Sequence, residues 1–242
     1  MDGKPSLIVI SLLCVGLSAL PALAGITYGS LYGSVPGEVD FLNIEENSTT
    51  DPNTPLYGSP TRNDNWLWFF PTAFVSSSSN GLADTTSSQL KMIIQSDPNT
   101  FLTQLSIIEF GDYSLAGSGN SGTQAKISGS MFITDQTPGH IPTVKTVSLT
   151  ASPKGTFTLP SDSSGSWSAS LNLDLTGYEI SKVMFQFNNT LQSTSQSGTT
   201  SFIEKKVVGG PSIGVMVIPE PATLCLVAVG GLGLLRRRIR KT

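Results

Sequence analysis

The stretch QAKISGSMFITD, residues 124–135, decides the fold class. Ala125, Ile127, Gly129, Met131 and Ile133 share one phase of a two-residue period, and Lys126, Ser128 and Ser130 share the other. Successive side chains of an extended strand point to opposite faces, so this pattern predicts a strand with one buried face and one wet face. SWSASLNLDL (166–175) sets Trp167, Ala169, Leu171, Leu173 and Leu175 against Ser, Asn and Asp in the same way. TVKTVSLTAS (143–152) and KVMFQFNN (182–189) repeat the pattern with β-branched and aromatic residues. Turn formers such as Asn80-Gly81, Asp97-Pro98, Pro138-Gly139 and Gly209-Gly210 separate the runs. About ten to twelve such runs, with no sustained helical period outside the chain ends, predict an all-β fold: an antiparallel β-sandwich, jelly-roll-like in its connections.

Composition divides the 242 residues into three parts. Residues 1–24 read as a signal peptide, 25–217 as the extracytoplasmic β-sandwich and 218–242 as a C-terminal sorting anchor. From Gly25 to Ile218 there are eight Lys and Arg against fifteen Asp and Glu. An acidic body with no basic stripe excludes nucleic acid as an expected partner, because phosphate neutralisation needs clustered Lys or Arg. Cys14 and Cys225 both lie in the apolar ends. The body is therefore expected to hold neither a disulfide nor a thiolate metal site.

At the N-terminus, LIVISLLCVGLSAL (7–20) follows Lys4, Pro21 breaks the run, and Ala22-Leu23-Ala24 gives the small-x-small pattern read by signal peptidase. Cleavage is expected after Ala24. At the other end, Pro219-Glu220-Pro221 precedes the apolar run ATLCLVAVGGLGLL (222–235) and the basic tail 236–241. As a helix, that run spans about 21 Å at 1.5 Å per residue. A short transmembrane helix results, in a bilayer whose hydrocarbon core is about 30 Å thick. Arg236, Arg237, Arg238, Arg240 and Lys241 act as its membrane stop, holding the tail in the cytoplasm and the body on the far side.

Pro-Glu-Pro, a short Gly-containing apolar helix and an Arg-rich terminus, in that order, resemble the PEP-CTERM sorting domain. The resemblance implies that an exosortase, an integral-membrane enzyme of Gram-negative bacteria that often make exopolysaccharide, recognises and cuts the tail. The body resembles, more loosely, other exported PEP-CTERM proteins with β-rich bodies. The phrases IIEFGDYSLAGSG (107–119), FNNTLQSTS (187–195) and FIEKKVVGG (202–210) look like their strand-and-turn segments. No activity transfers with that resemblance.

Within the body, chemistry is sparsely signalled. His140, in DQTPGHIPT, is the sole histidine, and no G-x-S-x-G elbow accompanies it, so it reads as an exposed loop residue. Glu45-Glu46 and Asp112 stand for the carboxylates that a hydrolase would need in facing pairs. SDSSGS (161–166) and GSGNSGT (117–123) read as turns rather than calcium loops. The segment WLWFF (66–70) is apolar on both faces and is expected to be a buried central strand; if exposed instead, Trp66 and Trp68 would form a sugar-stacking surface. No catalytic set, metal or cofactor is expected.

The expectation is an exported, non-enzymatic surface or matrix protein, structural or adhesive. Its partners are signal peptidase, exosortase, the inner membrane as a transient anchor, and exopolysaccharide. A carbohydrate-binding module is the alternative, and a carboxylate-dependent hydrolase stands third.

Overall fold

The computed structural model describes residues 25–207 and 209–220. The signal peptide with Ala22 and Ala24, Pro221, the apolar segment 222–235 and the basic tail lie outside the described residues. Among the described residues there are strands but no helix. They are β1 (Ile26–Leu31), β2 (Asp40–Ser48), β3 (Thr61–Asn63), β4 (Trp66–Phe69) and β5 (Val75–Ser79). Next come β6 (Ala83–Gln95), β7 (Leu102–Ala116), β8 (Gln124–Asp135), β9 (Val144–Ser148) and β10 (Thr150–Ser152). β11 (Thr156–Thr158), β12 (Ser164–Asp174), β13 (Lys182–Thr194), β14 (Thr200–Glu204) and β15 (Ile213–Pro219) complete the chain.

Two antiparallel sheets result. One runs β1-β2-β6-β13-β8-β11, with β9 also on β8; the other runs β10-β12-β7-β15-β4-β3. β14 pairs residues 112–116 of β7, beyond the stretch taken by β15, and carries β5 at its outer side. The predicted alternation holds along the long strands. β13 buries Val183, Phe185, Phe187, Asn189, Leu191 and Ser193 and turns the residues between them outward. Inward-facing side chains of both sheets join in one core that includes Phe41, Leu105, Ile133, Phe185 and Val215.

The chain changes sheets often. Asn80-Gly81 is a turn, as its composition predicts, with both residues at positive φ (54° and 88°). It does not close a hairpin within one sheet: β5 belongs to one sheet and β6 to the other. β15 runs through Pro219, and Glu220 N–H donates to Phe101 C=O at 2.7 Å. The folded body thus continues through Pro219 and Glu220, the first two residues of the Pro-Glu-Pro motif, three residues past the boundary at 217 read from sequence.

WLWFF is not a central strand. β4 lies one strand from its sheet edge, where Leu67 and Phe69 face the core while Trp66 and Trp68 face outward, half-buried. The two indoles stack at 4.5 Å, 5° from parallel. They lean over Gly214 of β15, where a Cβ would come within 2.4 Å of the Trp68 ring. Ring stacking over a bare backbone half-buries these residues without a covering layer.

Candidate functional site

Charged and carboxamide side chains occupy the buried phase at one end of the core. Glu109 of β7 follows Leu105 and Ile107 on the inward face and is fully buried. Lys205, just past β14, follows Ser201 and Ile203 inward, and its side chain is 0% exposed. Its Nζ donates to Glu109 Oε2 at 2.6 Å. From the opposite sheet, Asn189 of β13 is 1% exposed and donates its Nδ2 to the other oxygen, Glu109 Oε1. One carboxyl group thus receives a lysine from one sheet and a carboxamide from the other. The second acceptor, Asn189 Oδ1, has no hydrogen-bond partner.

Aromatic rings enclose this trio. Lys205 Nζ lies 5.1 Å from the Phe74 ring and 5.2 Å from the Trp167 ring. Trp167 fits because its cross-strand partner is Gly111, where a Cβ would fall 2.4 Å from the indole. Tyr57 packs edge-on against Phe69 and Phe74. Its hydroxyl, like Asn189 Oδ1, is buried without a hydrogen-bond partner. Burial first, then the charges of Glu109 and Glu46, push the Tyr57 phenol well above its ordinary range. Burial also lowers the Lys205 ammonium below its ordinary range, outweighing the opposing pull of Glu109.

Glu46 positions Tyr57. It is buried on β2, and its Oε1 accepts Leu56 N–H at 2.8 Å and Ser88 Oγ at 2.9 Å. Tyr57 N–H also reaches this carboxylate at 3.2 Å, and Tyr28 Oη binds Oε2 at 2.5 Å. Glu45 and Glu46 therefore point to opposite faces of β2 and cannot face each other as an acid pair. Asp112 points to the outer face of β7, away from Glu109.

His140 Nδ1 pairs with Asp135 Oδ2 at 2.9 Å, and its side chain is about one-third exposed. Burial raises the Asp135 carboxyl, but bonds from Thr137 and His140 outweigh it and hold the group below the ordinary carboxylate range. Asp162 in the SDSSGS turn is taken up by Lys154 at 2.7 Å and Thr158 N–H at 2.7 Å. Among the described residues, no three His, Cys, Asp or Glu side chains gather as a metal site.

Pro219 and Glu220 stand at the end of β15, partly exposed, where the body stops and the apolar segment is about to begin. Residues 217–241 match the PEP-CTERM protein-sorting motif. The chain carries a PEP-CTERM sorting motif. The motif implies export, membrane-anchored sorting and processing by an exosortase, and it spans Pro219, Glu220, Pro221, Arg236, Arg237, Arg238, Arg240 and Lys241. No curated protein matches the chain. Among solved structures, TmCBM61 in complex with β-1,4-galactotriose matches at 8% identity over 76% of this chain and 92% of that one, with a TM-score of 0.19. Overlap of that extent ties neither a fold nor a sugar site to the PEP-CTERM chain.

Sequence reading passed over Glu109, Asn189 and Lys205. Their signal was present: each occupies the apolar phase of an otherwise regular alternation, where a charge or carboxamide needs a partner.

Proposed function

We propose that this chain is a non-catalytic structural or adhesive protein of the cell surface or exopolysaccharide matrix. Signal peptidase removes residues 1–24, the tail holds the body transiently at the inner membrane, and an exosortase releases it. The observation that carries this reading is the sorting motif at residues 217–241, joined to a β-rich body. Strands that cross repeatedly between the two sheets support a jelly-roll-like connection. Changing Glu220 and Pro221 to alanine is expected to leave export intact and block processing, so the full-length mature form accumulates in the inner membrane. Immunoblots of fractionated cells read the result. A variant that still reaches the surface in shortened form reduces the motif to a linker and the tail to an ordinary anchor.

A second reading, carbohydrate binding, rests on the outward-facing stacked pair Trp66 and Trp68. An indole pair on an open sheet face suits stacking on sugar rings. On a glycan array, Trp66→Ala/Trp68→Ala should then lose every signal the wild-type body gives; signals unchanged by the variant remove this reading.

A further inference from the structure

Beyond sorting, we propose that Lys205 and Asn189 join in an intramolecular isopeptide bond, formed by the chain itself with Glu109 as the proton-transferring group. The three side chains are buried together, and both nitrogens lie on the two oxygens of one carboxyl group. An ion pair alone explains Lys205 and Glu109. It does not explain a carboxamide brought from the opposite sheet onto the same carboxyl group with its carbonyl oxygen left unpaired.

The chemistry balances within the trio. In a low-dielectric interior, a proton passes from the Lys205 ammonium to Glu109, giving a neutral amine and a neutral acid. The amine lone pair attacks Asn189 Cγ, the Nζ–Cγ bond forms, and the carbonyl electrons move onto Oδ1. Glu109 passes its proton to Nδ2 and takes one from Nζ. The Cγ–Nδ2 bond breaks, ammonia leaves, and Glu109 ends as the neutral acid beside the new amide. Amine plus carboxamide becomes secondary amide plus ammonia, with no oxidant and no net water. Phe74 and Trp167 flank the lysine nitrogen, and the asparagine is buried from solvent.

The bond would run from β13 in one sheet to the end of β14 in the other, clamping the two layers. An exported body without cysteine has no disulfide to do this.

Peptide mapping of the full chain in denaturant tests the proposal. Cleavage after glutamate cuts at Glu179, Glu204 and Glu220, which parts Asn189 from Lys205. Peptides 180–204 and 205–220 should remain joined, at their summed mass less one ammonia, about 17 Da. Glu109→Gln, close in shape, should release them separately at full mass. Separate full-mass peptides from the folded wild type overturn the bond. A linked pair in Glu109→Gln overturns the role of the carboxyl group.

Discussion

β13 passes through two different interiors. Its first half buries Val183, Phe185 and Phe187 against Ile94, Met92 and Leu90 of β6. Its second half buries Asn189 across from Ser88, Leu191 across from Thr86 and Ser193 across from Asp84. Several hydroxyls there find partners: Ser76 to Ser193 at 3.0 Å, Thr86 to Val75 C=O at 2.6 Å, Ser201 to Gln124 C=O at 2.6 Å. The first half stabilises the sandwich through apolar area removed from water, which is non-directional and tolerant of neighbours. The second half gains little net stability from its hydrogen bonds, but it fixes three reactive groups at one point. One strand pattern thus serves two purposes, separated by a single turn of the pleat.

Breaking the apolar half should have the largest effect on stability and none on the chemistry. Phe185→Ala removes a fully buried ring. Equilibrium unfolding of the sandwich should show a loss of about 3–5 kcal/mol, while peptide mapping still finds Asn189 joined to Lys205. If the bond disappears along with the stability, the two halves are not separable.

Replacing Lys205 with Met, Glu109 with Leu and Asn189 with Leu together removes the trio without leaving a buried carboxamide unpaired. Swapping a mere buried ion pair for apolar residues of similar size is neutral or stabilising. Loss of a covalent link closing a loop of this length instead costs about 3 kcal/mol, by analogy with a disulfide. Denaturant midpoints therefore separate a link from an ion pair. The smallest effect belongs to the outer face. Trp66→Ala/Trp68→Ala should shift the same midpoint less than either change, because the indoles are only half-buried and lie over Gly214 rather than in the core.

Strand phase was legible in the sequence because it depends only on neighbours two residues apart. Ala125, Ile127, Met131 and Ile133 face the core as read from QAKISGSMFITD. Which sheet a strand enters was not legible: Asn80-Gly81 announces a turn but not that it carries the chain from one sheet to the other. Trp66 and Trp68 misled because apolar residues on both faces fit a central strand equally well. Their actual place depends on Gly214, far along the chain, leaving room for the rings. Glu109, Asn189 and Lys205 even lie within the three phrases 107–119, 187–195 and 202–210. Their meeting depends on the register of β7, β13 and β14, which no local pattern encodes. The sorting motif was legible because its parts are contiguous and act through composition.

The mass of the tryptic peptide that starts at Val183 decides whether Lys205 and Asn189 are joined. An acylated Lys205 resists trypsin, so residues 183–206 should stay together in the wild type and in Phe185→Ala, lighter by one ammonia, about 17 Da. Cleavage after Lys205 in the folded wild type, yielding 183–205 at full mass, would show that the polar half holds an ion pair and nothing more.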